Sequence, residues 1–413
     1  MADLALTDSP RSAREVWRSW PLAGRIAAIY IAGRVFTTLL MLLSAHLSPA
    51  TSRFGSDPSL IDYVKGWDAW WYEAVVRDGY PTELPLDDNG DVSQNTWAFM
   101  PIYAKLAGLL GNIFAAGNWW FGALVVSLIA GYLACLALHA LLRERMDAGQ
   151  AQWAVVLFSF GPLAVLFQVG YAEVLFLAAL LAAILCVVRR QWRPLYLLVP
   201  FAGFTRPGIL AFALFLGLYG LWRLLPRQRE RMGVPRWEVV HVIALGVLAV
   251  AVGFAWQIYA GIKTGDGGAY LETELAWRRG WGSGESGFTP FSGWFDAAST
   301  WSWVWGIPGW LGDVLVVLIV IAGISGILLL PAVKRLGGEV QLWSLSHVIY
   351  LFAVFFPQTS VFRLLLPLAP LAGALAWRRG PLWRAFTLAA CVLAQWGWLW
   401  GMYGNGNTFW LIP

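Results

Sequence analysis

Apolar runs of about twenty residues recur along the whole chain, and they decide its fold class. A helix needs about 20 residues to cross a bilayer core, because backbone polar groups cannot be left unpaired in hydrocarbon. Runs of that order lie at 24–46, 119–142, 151–168, 171–188, 194–205, 208–225, 237–260, 310–332, 340–357, 362–377 and 384–400, the pair around Arg206 being short. Of 413 residues 59% are hydrophobic and only 13% charged, against roughly 25% charged in soluble domains. One soluble core cannot hide such a surface, which excludes an ordinary soluble domain, a disordered polar chain and a disulfide-stapled secreted module. The expected fold is an all-α polytopic membrane protein of about eleven transmembrane helices, one transmembrane domain over 1–413.

The net charge of +5 is no nucleic-acid footprint, because the basic residues sit in short clusters between apolar runs. These clusters are Arg11/Arg14/Arg18, Arg143/Arg145, Arg189/Arg190/Arg193, Arg223 to Arg236, Lys334/Arg335 and Arg378/Arg379/Arg384. The positive-inside rule puts all of them in the cytoplasm. The N-terminus is then cytoplasmic, and the first apolar stretch reads as a retained span, not a cleaved signal. Eleven crossings alternate correctly on this scheme. A further apolar segment, Trp97 to Ala115, would break the alternation and is expected to be re-entrant or interfacial. Cys135, Cys186 and Cys391 lie in apolar stretches and read as core hydrophobes.

Two long loops fall on the non-cytoplasmic side. The first, 47–96, carries nine acidic residues against three basic ones. The second, 261–309, holds the Gly-rich stretch Gly261 to Gly293 and reads as a mobile cover. Within the first loop, Lys65 to Tyr80 reads KGWDAWWYEAVVRDGY, about four helical turns. Spacing of i, i+3 and i+4 puts Asp68 on one face with Trp71 and Tyr72, a carboxylate beside rings at headgroup level. An acid partly withdrawn from water is suited to take a proton from an attacking hydroxyl. The plainer alternative is that Trp67, Trp70 and Trp71 anchor an interfacial helix while Asp68 faces water and Glu73 pairs with Arg77.

The run Trp67-Asp68-Ala69-Trp70-Trp71-Tyr72 with Gly79-Tyr80, followed by Trp97-Ala98-Phe99-Met100-Pro101-Ile102-Tyr103, resembles the first luminal loop of the PIG-V family and its bacterial relatives. That family is the second mannosyltransferase of GPI-anchor assembly. Tyr171 to Phe176 (YAEVLF), Thr205-Arg206 and Arg363 to Pro367 (RLLLP) resemble further stretches of the same family in the same order. Departures are Met100 for a usual Phe, Ala172 for Ser, and Pro207-Gly208 after Arg206 where eukaryotic members have Ser-Asn-Gly.

The resemblance implies a GT-C type glycosyltransferase, dependent on a polyprenyl-phosphate sugar, usually mannose, as donor. The acceptor would be a lipid-linked or glycolipid molecule on the non-cytoplasmic face, and the family's catalytic aspartate maps onto Asp68. On this reading Glu173, at an outer turn, shares base and orienting roles with Asp68. Arg206 and Arg363 run against the positive-inside bias and would hold the donor phosphate in bidentate fashion, Gln358 adding a neutral hydrogen bond. Trp67, Trp71, Tyr72 and Tyr171 would line the substrate. Plainer roles stay open for each: a turn carboxylate in water for Glu173, snorkelling for Arg206, an outer ion pair for Arg363. The transfer would invert the donor anomer in a single displacement.

No metal or other cofactor is expected. His46, His139, His241 and His347 are dispersed, and Asp87, Asp88 and Asp91 sit in a DDNGD stretch that reads as an exposed turn. Expected partners are the donor, the acceptor and membrane lipids, with no nucleic acid. The expected location is a plasma membrane, multi-pass, with the site facing the periplasm or exterior, or the lumen in a eukaryotic cell. The rival class is a transporter or flippase of lipid-linked sugars, which would also need many spans, buried charges and broken helices.

Overall fold

The computed structural model describes residues 13–226, 228, 230, 233–279 and 287–406. Arg11, Arg227, Arg229 and Arg231 of the basic clusters, and residues 280–286 of the Gly-rich stretch, lie outside the described residues. Among the described residues the regular secondary structure is helical, apart from one isolated bridge between Leu86 and Val92. The first half comprises α1 (Ala13–Ser19), α2 (Leu22–Leu47), α3 (Leu60–Lys65), α4 (Asp68–Arg77), α5 (Pro101–Phe114), α6 (Trp119–Arg143), α7 (Ala148–Ser159), α8 (Glu173–Val188), α9 (Leu195–Gly203) and α10 (Ile209–Leu224). The second half continues with α11 (Arg236–Thr264), α12 (Ala269–Ala276), α13 (Gly293–Trp305), α14 (Gly309–Leu329), α15 (Pro331–Lys334), α16 (Gly338–Val354), α17 (Val361–Leu364), α18 (Ala372–Ala376) and α19 (Pro381–Leu399).

The outward faces identify the solvent. Ile31, Val35 and Leu39 form an exposed stripe on α2, and Val240, Ile243, Val247, Val250, Phe254 and Ile258 form another on α11. Leaving such stripes in water would cost about 25 cal/mol per Å², a cost that hydrocarbon removes. The protein is an all-α polytopic membrane protein.

All eleven apolar runs contain helix, but among the described residues α2, α6, α11, α14 and α19 with its following turn are the ones long and apolar enough to cross a membrane, so five helices meet a criterion expected of eleven. The sequence explains part of the shortfall. Gly161-Pro162 follows the end of α7, and the run 362–377 is divided into α17, a 3-10 turn Leu366–Leu371 carrying Pro367 and Pro370, and α18. Proline removes a donor and clashes with the preceding turn, so a continuous helix cannot pass through. The Trp97 to Ala115 segment begins with a 3-10 turn at Thr96–Ala98 and continues as α5, whose 14 residues are about 21 Å long, short of a core of about 30 Å. Ile102 N–H donates to the carbonyl of Phe204, and α5 ends in a turn directly into α6.

Ion pairs gather several basic clusters at one end of the bundle: Arg189 with Glu144 at 2.8 Å, Arg145 with Glu339 at 3.5 Å and Arg379 with Asp147 at 2.5 Å. Arg223, placed by the sequence in a cytoplasmic basic cluster, is buried and paired with Glu238 at 2.8 Å. The loops that carry Asp68, Glu173, Arg206 and Arg363 meet at the other end.

Candidate active site

Asp68 opens α4, and the residue before it is held in an uncommon backbone conformation. Trp67 has φ 57° and ψ −123°, outside the regions bulky residues usually occupy. Its ring is fixed on both sides: the indole N–H donates to the Met402 carbonyl at 3.1 Å, and the Arg53 guanidinium lies 4.4 Å over the ring. Glu173 likewise opens a helix, α8. Both acids therefore stand in a first helical turn, where the helix dipole favours negative charge.

Gly170 brings the two acids together. Its N–H donates to the Val64 carbonyl at 3.0 Å, and a Cβ at this position would stand 2.8 Å from the Ala69 Cβ and 2.9 Å from the Val64 oxygen. Only a residue without a side chain lets the turn before Glu173 lie against the base of α4.

Arg363 bridges the pair. One terminal nitrogen, Nη1, donates to Asp68 Oδ2 and, at 2.8 Å, to Glu173 Oε1. Arg206 Nη2 stands 3.6 Å from the same Glu173 oxygen. Its turn, between α9 and α10, is fixed by Thr205 Oγ1 donating to the Phe201 carbonyl at 2.7 Å and by Gly208, whose φ of 138° suits glycine. Two carboxylates and two guanidiniums thus alternate in one cluster with no net charge. Their exposures differ usefully: 2% for the Glu173 side chain, 13% for each arginine and 21% for Asp68. Glu173 is the most enclosed of the four and Asp68 the most exposed. Burial pushes the Asp68 carboxyl above its ordinary value, with Arg363 opposing and Glu173 adding to the rise.

The aromatic residues pack around this cluster. Tyr171 is buried with its ring 5.4 Å beneath the Arg363 guanidinium. Tyr72 is buried edge-on against Phe99 and Tyr103, each at 5.1 Å. Trp71 stacks on Phe99 at 5.7 Å and meets Trp277 of the second loop at 5.5 Å. Tyr80 and Trp97 serve the scaffold: the Tyr80 hydroxyl donates to the Phe99 carbonyl at 2.8 Å, and the Trp97 indole donates to Pro81 at 2.9 Å.

Of the residues singled out from the sequence, Asp68, Glu173, Arg206, Arg363, Tyr171 and Tyr72 meet at this place, and Trp71 packs on Phe99 and Trp277. Trp67 and Gln358 are turned elsewhere, the first to Met402 and the second donating to the Trp277 carbonyl at 3.2 Å. The anticipated Glu73–Arg77 pair is replaced, because Lys65 reaches Glu73 at 3.6 Å and Arg77 folds onto Asp78 at 2.7 Å. Asp87 to Asp91 forms an exposed turn in which Asp87 Oδ1 accepts from the N–H groups of Asn89 and Asp91.

Three neighbours escaped the sequence reading. His347 donates from Nε2 to the Leu364 carbonyl at 2.8 Å, steadying the turn beside Arg363. Tyr350 lies within electrostatic reach of Arg206. Glu274, on α12, lies within reach of both Asp68 and Arg206. An ionisable residue in an apolar run is a signal by default, but Glu274 sits in a Gly-rich loop where nothing local marks it.

No family model matches the chain. Over 188 residues it is 24% identical to GPI mannosyltransferase 2 of Schizosaccharomyces pombe (strain 972 / ATCC 24843), a match covering 42% of this chain and 38% of that protein's length. Among solved structures it is similar to ArnT from Cupriavidus metallidurans in the apo state, with TM-score 0.46 and 12% identity, covering 90% of this chain and 63% of that one. The same protein bound to undecaprenyl phosphate gives TM-score 0.47, 13% identity, and coverage of 90% and 63%. The Archaeoglobus fulgidus oligosaccharyltransferase, in complex with zinc and sulfate, gives TM-score 0.45, 15% identity, and coverage of 90% and 54%.

Proposed function

We propose that this protein is a GT-C type glycosyltransferase that moves a hexose, specifically mannose, from a polyprenyl-phosphate donor to a lipid-linked or glycolipid acceptor on the non-cytoplasmic face of its membrane. The observation that carries the reading is the meeting of Asp68, Glu173, Arg206 and Arg363, from four distant stretches, in one cluster of which Asp68 is the most exposed member. The motif resemblance and the name of the curated relative support the choice of mannose.

Asp68 is the base: its raised affinity for protons and its exposure suit it to accept the proton of the acceptor hydroxyl. The freed oxygen attacks the anomeric carbon as the bond from that carbon to the phosphate oxygen breaks. The electron pair leaves with the polyprenyl phosphate, and the sugar's configuration inverts. Arg206, held by one long ion pair, has donors left for the phosphate. Arg363 is tied to Asp68 at rest. Once Asp68 takes the proton its carboxyl is neutral, and Arg363 is released to offset the charge growing on the leaving phosphate. Proton uptake and leaving-group stabilisation are thereby coupled through one guanidinium. Glu173, in contact with both arginines, is a positioning residue.

Purified protein in lipid nanodiscs, supplied with polyprenyl-phosphomannose and a membrane lipid extract, is expected to form a mannosylated lipid. The D68N variant should melt within a few degrees of the unaltered protein yet lose transfer by about 100-fold or more. Full activity in D68N would defeat the assignment of the base.

A further inference from the structure

The helix α12 of the second long loop is docked over the cluster from several sides. Thr273 Oγ1 accepts from Asn95 Nδ2 at 2.8 Å, tying it to the first loop. The Trp277 carbonyl accepts from Gln358, and Arg278 Nη2 donates to the Val354 carbonyl at 2.6 Å, tying it to the segment before Arg363. The Trp277 ring closes on Trp71 at 5.5 Å and on Phe99 at 5.8 Å.

These ties fix which way α12 faces. Glu272, Leu275 and Arg279 line a separate cavity of about 550 Å³ between the two loops, together with Glu83, Asp91 and Asp266. Tyr270, Glu274 and Trp277, at i, i+4 and i+7, share a different face. Trp277 on that face meets Trp71, one turn beyond Asp68 on α4, so the Glu274 face is the one turned to the cluster.

Glu274 differs from the two acids already described. Asp68 and Glu173 are committed to arginines, whereas among the described residues Glu274 forms no salt bridge and its hydrogen-bond partner is the Tyr270 side chain. The groups around it are Tyr270 on its own helix, Arg278 just past that helix's end, Asp68 on α4, Arg206 on the α9–α10 turn and Tyr350 on α16. Tyr72 on α4 lies within electrostatic reach of the neighbouring Tyr270. The Thr96–Ala98 turn against α12 is uncharged, and Lys263 near the end of α11 is turned onto the Tyr259 ring at 5.7 Å.

We propose that Glu274 is the acceptor-binding carboxylate of this site, taking hydrogen bonds from hydroxyls of a sugar or polyol acceptor and so aiming the attacking hydroxyl at Asp68. A carboxylate offers two oxygens that accept from neighbouring hydroxyls of one ring. Burial pushes the Glu274 carboxyl up to about 6, against the pull of Tyr270, Arg278 and Arg206. It therefore accepts hydroxyls at neutral pH and loses that capacity as pH falls through about 6.

The inference rests on the glycosyl-transfer reading, and the experiment separates the two. Transfer from polyprenyl-phosphomannose is first measured with the unaltered protein; no transfer there overturns the glycosyl-transfer reading. The membrane lipid extract and the donor are then titrated separately in E274Q, E274D and the unaltered chain. E274Q should raise the half-saturating extract by about tenfold, the loss of one hydrogen bond to a charged group, with donor half-saturation within about twofold. The fall in transfer centred near pH 6 should disappear from E274Q and persist in E274D. An unchanged extract titration, or an unchanged acid limb in E274Q, overturns the role of Glu274.

Discussion

Arg34 and Arg363 are both guanidiniums held inside the protein beside a broken helix, and they are satisfied in opposite ways. Arg34, in the middle of α2, donates to the carbonyls of Ser159 and Ala164 and to Gln168 Oε1, and its guanidinium lies near the rings of Tyr30 and Phe167. The break at Gly161-Pro162 frees carbonyls that water would meet in a soluble protein. Arg34 meets them instead, as backbone groups at membrane depth require. Arg363 donates to two carboxylates, one of which is partly exposed. A buried arginine is therefore no sign of chemistry by itself. The partners decide: carbonyls are fixed acceptors that cannot exchange a proton, whereas a carboxylate can be neutralised and so release the cation.

The largest expected difference comes from removing each arginine. R363M should lose transfer by about two to three orders of magnitude, the range for a lost charge-stabilising donor. R34M should chiefly lose stability, by about 3 kcal/mol or more, because it orphans several buried acceptors at once. Specific activity per folded molecule and thermal melting, measured side by side, check this contrast, and a fully active R363M or an R34M as stable as the unaltered chain would break it.

A smaller effect is expected from G170V. The added side chain meets Ala69 and the Val64 carbonyl, pushing Glu173 away from Asp68. A displacement of about 1 Å costs roughly 100-fold in transfer. Melting should fall by only a few degrees, so activity and stability part company here as well.

The two centres should also differ in their response to pH. The folded-state value for Asp68 lies above its ordinary 3.8, so the folded chain binds that proton more readily than the unfolded one. Stability contributed by Asp68 relative to D68N therefore falls as pH rises through that window. The contact set of Arg34 contains no carboxylate, and the melting difference between R34M and the unaltered chain should stay flat over the same range. A flat D68N difference would remove the basis for the distinction.

The smallest effect belongs to the exposed pair Lys65–Glu73. E73Q should change stability by less than about 0.5 kcal/mol, as surface pairs do. Transfer should not change, and a substantial loss would show that α4 depends on its surface charges and not only on its aromatic packing.

The legibility of the molecule follows the range of the forces involved. Apolar runs announce helices, and proline and glycine announce their breaks, because those effects act within a few residues. For Asp68, Glu173, Arg206 and Arg363, the alternation of spans put all four on the outer side, Arg206 and Arg363 stood out against the positive-inside bias, and the resemblance set those stretches beside one another. Arg34 stood in plain view inside the first apolar run and was passed over. Arg223 was one member of a cytoplasmic basic cluster, and its partner Glu238 comes from α11. Glu274 had no local signal, since its helix is docked through Trp277 meeting Trp71 and through bonds of Thr273, Trp277 and Arg278 to Asn95, Gln358 and Val354.

The sequence by itself determined the solvent and the class of fold, because hydrophobicity and helix formation are summed over neighbouring residues. Only the tertiary structure decided which charges are partners. An ion pair falls off over a few ångströms, and residues such as Asp68 and Arg363, separated by 295 positions, acquire that distance only when the helices pack.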